Sequence, residues 1–152
     1  MGFRGTLGGC HRRVIVVGPS AIAERRKHPT DWYFAQHFHL DPVIPGSLGV
    51  ETIIQAVQEW MVDTGTGAEL DDPDFILPVG TPLEWKYRGQ FLPTDSPMTL
   101  EVHITGIERR AGRVRVSAAA SIWKPGLRIY WVNRVTVELR EPEAPAWSDA
   151  GV

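Results

Sequence analysis

Apolar residues fall into successive patterns along the chain. Val14-Ile15-Val16-Val17 is a β-branched run closed by Gly18-Pro19, which predicts a strand. Ala21 to Lys27 alternates poorly and is either a second strand or an irregular lead-in. Trp32-Tyr33-Phe34 then leads into a stretch dense in proline and glycine that runs to Gly46. From Ser47 to about Met61 the period becomes helical. Val50, Ile53, Ile54, Val57, Trp60 and Met61 recur at i, i+3, i+4 and i+7 and form one apolar face. Glu51, Gln55 and Gln58 lie on an adjoining face. Ser47 is the expected N-cap, and Pro45 cannot stand inside the helix.

Thr64 to Pro78 is rich in glycine and aspartate and predicts a loop with Asp71-Asp72-Pro73-Asp74 at its tip. Four strand-like runs follow, at Leu83 to Phe91, Met98 to Glu108, Arg113 to Trp123 and Arg128 to Leu139. Alternation is clear in Leu100/Val102/Ile104 and Val114/Val116/Ala118. Turn residues separate the runs: Pro93-Thr94-Asp95-Ser96-Pro97, Ala111-Gly112 and Pro125-Gly126. One apolar helix followed by an antiparallel meander predicts an α+β domain in which a curved sheet wraps a central helix. A single domain is expected over 13–140, between a flexible N-terminus (1–12) and a flexible Pro- and Ala-rich tail (141–152).

A chain of 152 residues suits one domain with a sizeable core. Its 43% hydrophobic and 22% charged content is ordinary for a globular protein. The net charge of −2 gives no general attraction to nucleic acid or anionic membrane. Basic residues are scattered as pairs (Arg12–Arg13, Arg25–Arg26, Arg109–Arg110), so no nucleic-acid partner is expected. The single cysteine, Cys10, excludes an intramolecular disulfide and fits a reducing cytosol. No apolar run approaches the roughly 18 residues of a membrane span. Met1-Gly2-Phe3-Arg4-Gly5-Thr6 matches the short myristoylation pattern, but a flexible glycine-rich start is the preferred reading. Arg12–Arg13 is followed by too short an apolar run for an export signal, so a cytoplasmic location is expected.

The candidate chemistry lies between His37 and Gln55. A histidine sits in a loop, Pro45-Gly46 opens a helix whose first turn exposes free N–H groups, and Glu51 follows one turn later. Elimination of water from a 3-hydroxyacyl thioester needs a base for the C2 proton and an acid for the departing hydroxyl. It also needs a donor for the thioester oxygen, which a helix N-terminus can supply.

The run His37-Phe38-His39-Leu40-Asp41-Pro42-Val43-Ile44-Pro45-Gly46-Ser47-Leu48-Gly49-Val50-Glu51, with Gln55 four residues on, resembles the signature of the 3-hydroxydecanoyl-type dehydratases. It is most similar to the dehydratase domains of polyunsaturated fatty acid synthases, which also show a strand like Trp85-Lys86-Tyr87-Arg88-Gly89-Gln90 before Leu92-Pro93-Thr94. The resemblance covers roughly Pro29 to Leu139. It implies a hot-dog fold, assembled as a homodimer or paired with a second hot-dog domain. It implies His37 as the catalytic histidine, and Glu51 as the acidic residue that reaches the site from the neighbouring hot dog. The Gly46 N–H would be the thioester carbonyl donor, the Val43 carbonyl would fix the histidine ring, and Gln55 would steady the carboxylate. Ser47 stands where the family usually has cysteine, a change of small consequence because the backbone acts there. Glu51, longer than the aspartate of the decanoyl-specific enzymes, matches the general dehydratases that lack isomerase activity. The implied substrate rides on the phosphopantetheine of an acyl carrier protein or on coenzyme A, with no metal or organic cofactor. The part before Trp32 is shorter than in the family, so the hot dog is expected to be incomplete or to need a partner over an exposed edge.

Other readings compete residue by residue. His37 and His39 could suggest a metal pair, but no carboxylate or third histidine follows at a suitable spacing, so no metal is expected. His103 and Asp41 are expected to be structural, the latter holding its loop through backbone hydrogen bonds. Glu51 on a central helix is expected to be buried, where a carboxyl keeps its proton more readily. A non-catalytic hot dog, serving as an acyl-carrier-binding or structural half, is the alternative, and a thioesterase of the same fold is a third reading.

Overall fold

The structure, a computed structural model, describes residues 12–25, 28–95, 97–145 and 147. The expectations for Gly2, for Cys10 and for a flexible start therefore lie outside the described residues, as does most of the tail beyond 145. In chain order the elements are β1 (Arg12–Val17), β2 (Ser20–Arg25), α1 (Trp32–Gln36) and α2 (Gly46–Asp63). They continue with β3 (Asp74–Ile76), β4 (Glu84–Tyr87), β5 (Met98–Arg110), β6 (Arg113–Lys124) and β7 (Leu127–Arg140). The seven strands form one sheet in the order β1-β2-β5-β6-β7-β3, with β4 also paired to β7. Every pairing is antiparallel.

The alternation of the long strands sends one row of side chains onto α2. Leu100 and Val102 of β5, Val114, Val116 and Ile122 of β6, and Val135 and Val137 of β7 are buried there. Ile53, Val57 and Met61 of α2 meet them from the other side and are themselves at most 1% exposed. Each aliphatic side chain so buried contributes about 1.5–3 kcal/mol. Register shifts between Ile104 and Gly106, and between Ala118 and Ala120, mark bulges that increase the local twist and bend. The sheet can therefore curl round the helix, giving the expected α+β hot dog.

Several boundaries differ from the sequence pattern. α2 begins at Gly46 with Pro45 as its N-cap, and no side chain caps it. Ser47 is thus inside the first turn and is not the N-cap, because Pro45, at ψ 134°, already delivers the chain extended to Gly46. At the other end Gly65, at φ +67°, turns the chain. Thr66 N–H then donates to the Met61 carbonyl at 2.8 Å and Gly65 N–H to Val62 at 3.1 Å, which satisfies carbonyls the helix leaves open. The strand expected from Leu83 to Phe91 pairs only over Glu84–Tyr87. Arg88 N–H still reaches the Ile129 carbonyl, but Gly89, at φ +114°, adopts a conformation open to glycine and ends the pairing. The loop expected up to Pro78 contains β3, which is only three residues long. Ser20–Arg25 is a strand, pairing with both β1 and β5, so the segment before Trp32 supplies a full hairpin to the sheet.

The outer face of β6 and β7 carries a buried ion cluster. Glu138 is fully buried, and one of its oxygens lies 3.3 Å from Arg113 Nη1 while the other meets Arg115 Nε. Arg113 also donates to the carbonyls of Ala144 and Pro145. The Trp147 ring lies 3.6 Å from the Arg115 guanidinium and 4.2 Å from that of Arg110. The described part of the tail, expected to be flexible, is therefore docked on the sheet, because the arginine guanidinium groups give its carbonyls and the Trp147 ring partners. Among the described residues no helix is long and apolar enough to cross a membrane.

Candidate functional site

The site grows from the loop that joins the two helices. α1 buries Tyr33 and Phe34, and His37 follows as its C-cap. Asp31 steadies this turn by accepting from the His28 N–H at 3.0 Å and the Tyr33 hydroxyl at 2.6 Å. The chain then reverses through Leu40, at φ +59°, with a bridge between Phe38 and Asp41. Val43 N–H donates to the Asp41 carbonyl at 2.9 Å, and Ile44 N–H to the Phe91 carbonyl at 3.1 Å. Asp41 thus holds the loop through its backbone, while buried Val43 and Ile44 anchor it to the core.

This anchored loop presents the start of α2 without a cap. Among the described residues nothing accepts from the Gly46 N–H, so the donor and the positive end of the helix are open to another molecule. The Gly46 carbonyl, in contrast, accepts from the Tyr130 hydroxyl at 2.9 Å. Tyr130 lies in an aromatic stack, 6.2 Å from Phe91 at 10° and 6.2 Å from Trp85 at 12°, with Tyr87 at 4.7 Å. Burial pushes the Tyr130 pKa up, and the neighbouring Tyr87 pushes the same way, against a smaller opposing effect of the Gly49 amide. Burial raises that of Tyr87 too, so both phenols stay protonated well above neutral pH.

A cavity of about 250 Å³ runs beside this end of α2. Ile44, Phe91, Met98 and Ile122 give it apolar walls, and α2 contributes Glu51 and Gln55. Gln55 Nε2 donates to Glu51 Oε1 at 2.9 Å, one helical turn apart. Glu51 is exposed, not buried as expected for the central helix, because the buried face of α2 is formed by its neighbours Val50, Ile53, Ile54 and Val57. His37 is also exposed, its ring resting on Phe38 at 4.0 Å. No hydrogen bond joins that ring to the Val43 carbonyl, contrary to expectation: Val43 is buried, whereas His37 faces outward. His37 does not line the cavity that Glu51 lines. One chain therefore brings Glu51 and Gln55 to the cavity together with Leu48 and Gly49 of the first turn, while neither His37 nor Gly46 lines it.

Ser47 and His39 are exposed. His103 Nδ1 pairs with Ser20 Oγ at 2.9 Å across β2 and β5, a structural contact. Among the described residues no group of three His, Cys, Asp or Glu side chains is placed to hold a metal ion. Tyr130 was not singled out by sequence. Alternation places it on the inner row with Val132, but nothing local relates it to a glycine 84 positions earlier.

The two glycines of the first turn differ in a testable way. A Cβ at Gly49 would stand 2.1 Å from Tyr130 Cζ, whereas one at Gly46 would meet only Trp85 at 3.6 Å and Tyr87 at 3.8 Å. Gly49→Ala is expected to cost about 1–3 kcal/mol by overpacking, seen as a lower melting temperature. Gly46→Ala is expected to melt within about 1 kcal/mol of the parent, since alanine is no worse than glycine in a helix. Equal melting of the two variants would contradict the close approach of α2 to Tyr130.

Comparison with known proteins agrees with this architecture. A protein-family model, the FabA-like domain, matches residues 17–133. The chain is 41% identical over 125 residues to a subunit of the polyunsaturated fatty acid synthase of Thraustochytrium sp., an alignment that covers 81% of this chain and 8% of that protein. It thus spans a small fraction of the curated relative it matches. Among solved structures it is similar to the dehydratase heterocomplex ApeI:P from Xenorhabdus doucetiae, with a TM-score of 0.64 at 13% identity, covering 85% of this chain and 81% of that one. A probable thioesterase from Bartonella henselae superposes with a TM-score of 0.54 at 15% identity over 84% of this chain and 96% of its own. At such identities these structures show the shared fold alone.

Proposed function

The chain belongs to the family of FabA-like domains, and on that basis we propose that it dehydrates a 3-hydroxyacyl thioester to the trans-2-enoyl thioester in fatty-acid- or polyketide-type lipid synthesis. The observation that carries this reading is the open Gly46 N–H at an uncapped helix N-terminus, in the same first turn whose Leu48 and Gly49 line a cavity with the Glu51–Gln55 pair. The thioester carbonyl accepts from Gly46, which stabilises negative charge as it develops on that oxygen. Neutral His37 takes the C2 proton, and the C3–oxygen bond breaks. The Glu51 carboxyl supplies the proton with which the hydroxyl leaves as water. His37 returns its proton and Glu51 regains one through solvent, so no net oxidant or cofactor enters the step. The thioester itself acidifies C2. The acyl group is carried by the phosphopantetheine of a carrier protein or by coenzyme A, and its chain fits the apolar walls of the cavity.

His37 acts here on a substrate held at the Glu51 of a second hot dog, either another copy of the chain or a neighbouring domain. The separation of His37 from the cavity that Glu51 lines supports this, as does the apolar edge beside β3 and β4, where Val79 is 98% and Leu77 57% exposed. The same separation favours the second reading, an inert hot dog that only binds acyl carriers. The discriminating assay supplies 3-hydroxyacyl and acyl coenzyme A thioesters to the purified chain. Conjugated enoyl thioester is expected without release of free thiol. Thiol release would indicate a thioesterase, and tight binding without turnover would indicate the inert module.

A further inference from the structure

We infer that Tyr130 is a positioning residue for the carbonyl donor at the start of α2, holding the Gly46 turn through its hydroxyl. The inference rests on the reading of Gly46 as that donor. Gly46 lacks a Cβ, follows a proline and opens a helix with no side-chain cap, so its own sequence does little to fix it. Its carbonyl is instead tied across the fold, to a hydroxyl 2.9 Å away on β7. That hydroxyl is itself fixed. Tyr130 is 1% exposed, and its ring is stacked on Phe91 and Trp85. The absent side chain at Gly49 makes the room it occupies: a Cβ there would come within 2.5 Å of the Tyr130 oxygen. The two glycines of the first turn therefore serve one contact, Gly49 by admitting the ring and Gly46 by accepting its hydrogen bond. A protonated phenol is needed for this, and burial keeps Tyr130 in that form. Holding the 46–47 peptide plane limits rotation about Gly46, and so aims its N–H. A donor aimed before the substrate arrives does not have to reorganise during the reaction.

Tyr130→Phe removes one oxygen and keeps the stack. It is expected to lower kcat about tenfold with KM changed less than about twofold, because the lost contact acts on charge that develops in the transition state. In NMR spectra of the same protein the amide signals of Gly46 and Ser47 are expected to shift, because the hydrogen bond on the carbonyl between them is lost. Those of the C-terminal half of α2 are expected to stay in place. An unchanged kcat in an active protein would overturn the inference, as would amide signals that shift evenly along α2 or not at all. A wild-type chain with no turnover would instead overturn the functional reading on which it rests.

Discussion

His37→Ala is expected to lower kcat for dehydration of a 3-hydroxyacyl thioester by roughly 10²–10⁴-fold, the usual contribution of a positioned general base. Glu51→Gln is expected to do the same from the acid side, since an amide keeps the shape and loses the transferable proton. Both side chains are exposed in the chain, and Glu51 accepts a hydrogen bond from Gln55. Substitutions of this kind usually move stability by less than about 0.5 kcal/mol. Melting temperature should therefore stay near that of the parent while turnover collapses. A rate close to wild type in either variant would remove that residue from the mechanism, and a parallel loss of melting temperature would reassign it to the fold.

The second large effect lies far from the site. Glu138 is 0% exposed between Arg113 and Arg115, with Trp147 stacked over the latter. Glu138→Ala leaves two guanidinium groups with their shared carboxylate gone, and Arg113 cannot turn to water because it is 3% exposed. Removing one partner of such a buried group costs about 3–5 kcal/mol. For a chain of 152 residues that is a fall in melting temperature of roughly 6–20 °C. Glu138→Gln is expected to fall between this variant and the parent, since it keeps hydrogen bonds and loses the charge. The contacts to Ala144, Pro145 and Trp147 should loosen in step, which protease cleavage after residue 140 would report. An unchanged melting temperature for Glu138→Ala would show that the cluster adds nothing to stability.

The α+β architecture was legible because its longest elements have unambiguous periods. Val50 to Met61 can only be one face of a helix, and the alternation through Leu100/Val102 and Val114/Val116 can only be sheet. Short elements carried no such signal. The five residues of α1 contain too few turns to show a period, and the three residues of β3 sit among loop residues. The ion cluster was invisible because Glu138 and Arg115 become partners only through the β6–β7 register. The site was half legible. The Pro45-Gly46 helix start and the Glu51–Gln55 pair are local in sequence, and the fold sets the pair in a cavity that the first turn of α2 borders through Leu48 and Gly49. Tyr130 is remote in sequence from the turn it holds, so it emerged from packing alone. His37 was found by its motif, but no single-chain contact unites it with Glu51; in the proposed mechanism that contact belongs to a second hot dog.

This division of the site can be decided by complementation. His37→Ala and Glu51→Gln chains are prepared separately and then mixed by unfolding and refolding together, with turnover of a 3-hydroxyacyl thioester as the readout. In a symmetric pair, each mixed dimer would contain one site with both native side chains and one with neither. Random reassortment makes about half the dimers mixed, so the mixture is expected to recover about a quarter of wild-type activity. A mixture as inactive as its two parents, with mixed dimers confirmed by mass, would contradict a site shared between hot dogs.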